Sequence, residues 1–561
     1  MMPIDPPNAL VLGRHRLPGS KPSAPRALAT PAQWQAAVLT TGPVEAAGQA
    51  EGSFAVGWTD DQGKGYLAVD RFATETLCYR VQDGRLRFAA RADELADEQT
   101  PVDPQAIFEY LFFHAIPSPR TVFRGVHRLP PGHYAVFDEG RLKVQPYWTP
   151  TFSTPASASY QGLKDEFIAL LEEAVRRQLD DSRPACFLSG GTDSSTIAGL
   201  IGRVAGSPAE SFSIGFDAAG YDEMAYARLA AKRFGTEHHE YYVTPDDLVE
   251  GIPEVARHYD QPFGNSSALP AYCCARFARQ QGVSRLLAGD GGDELFGGNA
   301  RYATQRIFDW YGKVPRLLRT GLLEPLLPPG AFPRVALLRK GAGYIAQARD
   351  PMPDRLRHYN LLQRLGIEQV LSADLLAQVD TGAPLQHQRA VWSSAEASTP
   401  LDRMLAYDWR YTLAESDLPK VRETTRMAGV SVGFPLLDER LLDFSMRLPT
   451  AYKLKGTQLR WFFKEALRGF LPDEIITKSK HGFGLPFGVW ALRHAGLKRL
   501  TTQSLESLAG RGIVRPTFLT ALMSTHLPAH PGYYGEMVWI LMMLEQWLQQ
   551  HAPGYTVSRA S

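Results

Sequence analysis

Apolar and polar positions along the chain fall into two textures. Between 52 and 147 the apolar residues come in short runs, at 54–58, 65–69, 76–81 and 86–90, several of them alternating with polar positions. Asp60-Asp61-Gln62-Gly63 and Gln82-Asp83-Gly84 punctuate them, a pattern that predicts hairpins. A helix over 104–113 and strands over 132–137 and 141–147 complete an α+β domain assigned to 1–148. Residues 1–30, rich in Pro, Gly and Arg, are expected to be poorly ordered. The Thr-, Ser- and Pro-loaded stretch 149–159 reads as a linker.

From Tyr160 the period lengthens. Helices are predicted over 163–179, 224–234 and 268–281, with apolar strands over 185–188, 211–216, 237–243 and 284–288. Strands separated by helices predict an α/β domain with a parallel sheet and ligands at the strands' carboxyl ends. Residues 303–550 look mostly helical. The second domain is assigned to 160–550, with 551–561 as a tail.

Composition narrows the partners. With 561 residues the chain exceeds one ordinary core, and a net charge of +1 gives no electrostatic case for nucleic acid. Residues 1–22 lack an apolar leader, and no run approaches the ~18 apolar residues of a membrane span. Four cysteines at 78, 186, 273 and 274 form neither a disulfide framework nor a Cys-x-x-Cys site. The expected location is the cytoplasm, with no membrane insertion.

Two Gly-rich stretches carry the candidate chemistry. Leu188-Ser189-Gly190-Gly191-Thr192-Asp193-Ser194-Ser195 follows a strand and opens a helix. Its backbone N–H groups and hydroxyls suit a phosphate, and Asp193 suits Mg²⁺. It lacks the Gly-Lys-Ser/Thr of the Walker loop. The second stretch, Gly289-Asp290-Gly291-Gly292-Asp293-Glu294, also follows a strand and opens at the same sheet edge.

Together these stretches resemble the asparagine synthetase family of N-type ATP pyrophosphatases. Ser213-Ile214-Gly215-Phe216-Asp217, Asp260-Gln261-Pro262-Phe263, Gly433-Phe434-Pro435-Leu436-Leu437-Asp438 and Lys478-Ser479-Lys480-His481-Gly482 follow in the family's order. The resemblance implies a fold of the adenine nucleotide α hydrolase type behind a glutaminase-like (Ntn) domain. It also implies ATP-dependent adenylation of a carboxylate, pyrophosphate release and attack by an amine. By motif position, Ser189, Gly190, Gly191, Asp193, Ser194 and Ser195 would hold pyrophosphate, and Leu188 and Gly289 would border adenine and ribose. Asp193 and Asp293 would share Mg²⁺, Lys480 would contact the phosphate and developing oxyanion, and Asp290 stands where the family has a glutamate proposed to handle amine protons.

The N-terminal domain departs from the family. Asparagine synthetase carries a cysteine at residue 2 as its glutaminase nucleophile; this sequence begins Met1-Met2-Pro3, and its first cysteine, Cys78, falls in a predicted strand. The domain reads as degenerate and unable to hydrolyse glutamine. The amine is then free ammonia, a partner's product, or part of the acyl substrate itself. The last case resembles the β-lactam synthetases and lasso-peptide macrolactam cyclases. It favours a peptide substrate, with a leader peptidase or precursor-recognition protein as partner. The alternative is aspartate with externally supplied ammonia. Asp417-Leu418-Pro419-Lys420-Val421-Arg422 is a further departure, since common asparagine synthetases have Lys-Val-Asp-Arg there. The pair Cys273-Cys274 is expected half in the core, and Arg460-Trp461-Phe462-Phe463-Lys464 reads as a buried helix face.

Overall fold

Strand β1 (Ala9–Leu12) lies inside the stretch that composition marks as poorly ordered, and it corrects that expectation. Its run Ala-Leu-Val-Leu pairs antiparallel with β2 (Ala55–Thr59), Ala9 opposite Trp58 and Leu12 opposite Ala55. Helix α1 (Pro31–Thr41), capped by the Thr30 side chain and Gln33, precedes β2. Next come β3 (Gly65–Val69), β4 (Cys78–Gln82), β5 (Arg85–Ala89), α2 (Pro104–Phe113), β6 (His127–Arg128), β7 (His133–Asp138) and β8 (Arg141–Pro146). They form an antiparallel sheet of order β1-β2-β3-β7-β8 and a smaller one of order β5-β4-β6. The computed structural model describes residues 9–17, 29–153, 159–218, 220–326, 336–478 and 484–558.

The linker stretch is packed as far as it is described. Trp148 and Phe152 lie 6.3 and 5.3 Å from the Trp409 ring, and Phe152 N donates to Glu396 O at 2.8 Å. Two aromatic rings set among polar residues bury better than they hydrate, so the segment is pinned.

The second domain runs α3 (Tyr160–Gln178), β9 (Ala185–Phe187), α4 (Thr192–Ala205), β10 (Glu210–Phe216), α5 (Met224–Phe234), β11 (Glu237–Val243), α6 (Pro245–His258), α7 (Ala268–Gln280), β12 (Arg285–Leu287) and α8 (Gly292–Phe296). Helix α9 (Leu418–Met427) and β13 (Ser431–Gly433) follow a largely helical stretch. The sheet is parallel, of order β11-β10-β9-β12-β13. Chain direction across the sheet reverses between β9 and β12, so their outgoing loops flank one crevice.

Helix α10 (Pro531–His551) packs its apolar face into a core shared with the N-terminal domain, where Tyr110 Oη donates to Ile540 O at 2.8 Å. Among the described residues no helix is long and apolar enough to cross a membrane. Cys273 and Cys274 are both buried, which corrects the half-surface expectation: α7 is covered by α9 on one side and the sheet on the other.

Candidate active site

Gly190 turns the chain out of β9 in the left-handed region (φ 72°), and a Cβ there would come within 2.6 Å of the Tyr226 and Ala227 backbone. Only glycine fits so close an approach. Gly191 then starts α4, and the hydroxyls organise one another: Ser189 Oγ and Ser194 Oγ are 2.9 Å apart, and Ser189 N donates to Ser194 Oγ at 3.1 Å. Ser195 is wholly enclosed, its hydroxyl without a partner among the described residues. Leu188 is buried at the strand end, its carbonyl accepting from Ser213 Oγ.

The second loop lies directly against the first. A Cβ on Gly289 would stand 2.8 Å from Ser194 N, and one on Gly292 would collide with the Asp193 carboxylate. These glycines let Asp193 and Asp293 converge from loops a hundred residues apart in sequence.

What they converge on is Arg460. Its Nη1 donates to Asp193 Oδ2 at 2.7 Å, Asp293 Oδ1 at 2.8 Å and Thr192 Oγ1 at 2.9 Å, while Nη2 pairs with Asp193 Oδ1. The guanidinium is buried and lies 4.1 Å from the Phe463 ring centroid. Arg460 takes a left-handed backbone conformation (φ 55°), unusual for a non-glycine residue, which turns its side chain into the crevice. The surrounding carboxylates push its pKa up despite burial. The reading of 460–464 as only a helix face is therefore corrected: Phe462 and Phe463 are that face, and Arg460 belongs to the site. No local pattern marks it, because its partners lie far away in sequence.

Asp290 points to a second cluster. Lys420 Nζ lies 3.6 Å from Asp290 Oδ1 and 3.1 Å from Asp417 Oδ1. Burial raises the Asp290 carboxyl to about 6 against the opposing pull of Lys420, and Asp417 and Asp193 add to the rise. A carboxylate so placed exchanges protons near neutral pH. In the sequence, 417–422 reads only as a departure from the family pattern; the meeting of Lys420 with Asp290 leaves no local signal.

The donor set fits Mg²⁺. Asp193 and Asp293 converge as hard oxygen donors, suited to an ion whose other ligands are phosphate oxygens and water; two of those oxygens are engaged by Arg460 Nη1 in this structure. Among the described residues no group of three or more His, Cys, Asp or Glu forms a protein-only metal cage. Lys480 lies outside the described residues. The segment leading to it is anchored by Lys478, whose Nζ is 2.9 Å from Glu223 and 4.2 Å from the ring centroid of Tyr226, the residue beneath Gly190.

Cys78 is buried in β4, and burial pushes its thiol well above the usual range, so it is no nucleophile.

Residues 166–549 match the family model described as asparagine synthase, and residues 36–148 match that of a glutamine amidotransferase domain. Asparagine synthetase [glutamine-hydrolyzing] 1 of Bacillus subtilis is 24% identical over 80% of this chain and 70% of that protein. A putative asparagine synthetase [glutamine-hydrolyzing] of Mycobacterium tuberculosis is 28% identical over 71% of this chain and 60% of its own length. Amidase chyE of Penicillium rubens is 25% identical over 82% of this chain and 73% of that protein.

Proposed function

Since the chain belongs to the asparagine synthase family and is a ligase of that type, we propose that it adenylates a carboxylate with ATP and joins it to an amine of the same peptide, closing a macrolactam. The observation that carries the adenylation is the meeting of Asp193, Asp293 and Arg460 beneath two glycine loops. The Ser189–Ser194 turn and the α4 N-terminus receive the leaving pyrophosphate. Arg460 offers donors to the same phosphates and holds the two carboxylates in register. Mg²⁺, when bound by Asp193 and Asp293, neutralises charge developing on the phosphates. Lys480 acts at the acyl end.

Attack requires an uncharged amine. Asp290, held beside Lys420, accepts the proton that the amine loses as the new C–N bond forms and AMP departs. The macrolactam reading is supported by the burial of Cys78, which is sealed in the core and cannot serve the amidotransferase-like domain as a nucleophile. On this reading a leader peptidase or precursor-recognition protein delivers the peptide.

Incubation with ATP, MgCl₂ and candidate acids, followed by nucleotide analysis, tests adenylation. AMP and pyrophosphate are expected; ADP and phosphate would overturn it. A second reading, asparagine formation from aspartate and free ammonia, is favoured by the names of the bacterial relatives. Asparagine produced from L-aspartate and ammonium chloride would establish it in place of the macrolactam reading.

A further inference from the structure

The N-terminal domain grips the segment bearing Asp417 and Lys420 on both sides. Ahead of it, buried Glu415 accepts from Ser118 N at 3.1 Å and Ser118 Oγ at 2.9 Å, and pairs with Arg128 of β6 and with Arg410. Arg128 is itself fixed by the Ile116 carbonyl at 2.8 Å. Behind it, Arg422 Nη1 donates to Thr74 O at 2.8 Å, and Arg426 Nη2 lies 3.1 Å from Glu75 Oε2. From the side, Tyr259 Oη donates to Pro419 O at 3.3 Å. The two residues after Tyr259, Asp260 and Gln261, accept from Ala92 N at 2.8 Å and Val122 N at 3.1 Å.

The gripped segment is unusual in itself. Trp409–Asp417 is π-helical, joining helix Pro400–Asp408 to α9. Such turns are rare and frequently lie at functional sites, and this is the longest of the three among the described residues. The wider turn changes which residues end it facing Asp290, so contacts from outside the helix decide the register. The carboxylates of the phosphate end, by contrast, are held by Arg460, itself bonded to Thr192 Oγ1, within the second domain.

We propose that Glu415 and Arg128 are positioning residues for the amine half of the reaction, and that the N-terminal domain serves to fix Lys420 against Asp290. This rests on the function proposed above. If Lys420 drifts, the half-buried Asp290 loses its counter-charge, and its partial desolvation then favours the protonated form, which cannot accept a proton. Adenylation, which uses other residues, proceeds.

Two measurements on the full chain test this, using Arg128→Met, with Glu415→Gln as the second variant should the first not fold, and Arg128→Lys as the conservative exchange. In hydrogen–deuterium exchange, Arg128→Met should speed exchange across 409–427 and leave 185–216 and 285–296 as in the wild type. An unchanged 409–427 overturns the proposal whatever the substrate. In the second, ATP and L-aspartate serve as the acyl probe, with ammonium chloride or hydroxylamine as nucleophile. Hydroxylamine is largely uncharged at neutral pH and a strong nucleophile, so the proton it still loses as the C–N bond forms can pass to water and its rate depends less on Asp290. Arg128→Met should form product about 10²-fold more slowly with ammonium and near the wild-type rate with hydroxylamine, and Arg128→Lys should recover most of the difference. Equal losses with both nucleophiles would mean a merely structural role and would overturn the proposal. A wild type inactive with both counts against aspartate as acyl substrate, and the exchange result then decides the positioning role alone.

Discussion

Arg460 Nη1 reaches Asp193 Oδ2 at 2.7 Å across 267 positions of sequence, and this contact places a buried cation between the two carboxylates assigned to a metal. Replacing Arg460 by Met removes the guanidinium from between Asp193 and Asp293, each 19% exposed. Breaking a fully buried pair costs about 3–5 kcal/mol, and water reaching these carboxylates makes the cost here smaller. The variant should melt earlier than the wild type by calorimetry, and MgCl₂ should restore more of the loss than it adds to the wild type. Equal responses to Mg²⁺ would show that the carboxylates do not form the ion's site.

Gly289 faces Ser194 N with no room for a methyl group, since the nearest obstacle is backbone at 2.8 Å. Gly289→Ala must separate the two loops. Misplacement on this scale typically costs about 10²-fold in rate, so pyrophosphate release should fall by that order while far-ultraviolet circular dichroism is unchanged. Gly312→Ala, at a position with nothing within 4 Å, should match the wild type in both.

Asp290 gives the amine step a pH limb. Its carboxyl is raised from 3.8 to about 6, so the proton-accepting form is lost as pH falls through about 6 and is full above it. At a fixed concentration of uncharged amine, amide formation should therefore rise with pH through about 6 to a plateau, the limb belonging to the Asp290–Lys420–Asp417 cluster. Asp290→Asn should abolish the limb and slow amide formation while pyrophosphate release persists. The stability sign is opposite: because the folded state holds this proton more tightly, Asp290 weakens the fold as pH rises from 3.8 towards 6.

All four cysteines are buried. Iodoacetamide should modify none of them in the native protein and all four in guanidinium chloride, as read by intact mass. Cys78→Ala should leave amide formation at the wild-type level; loss of activity without loss of stability would reinstate that thiol as functional.

Much of this protein is written locally. The periods of two and of 3.6 residues set the hairpins and helices, so the predicted helix over 104–113 and strand over 237–243 coincide with the observed elements. The two glycine loops announce themselves because close backbone approach needs glycine wherever it occurs in the chain. Residues 9–12 were misjudged because four apolar residues among prolines say little until β2 offers an edge to pair with.

The sequence by itself determined elements such as α2 and β11 and the two glycine loops with their acids. Only the tertiary structure decided which cation stands between Asp193 and Asp293, and that Lys420 meets Asp290. Arg460 sits in a stretch that reads as an ordinary helix face, and Lys420 in one that reads only as a departure from the family pattern. Their charges acquire meaning through partners more than a hundred residues away. Helix periodicity records which face is buried, not what lies opposite it; that is settled by how the π-helical turn and the left-handed Arg460 aim their side chains into a crevice formed only once the sheet is assembled.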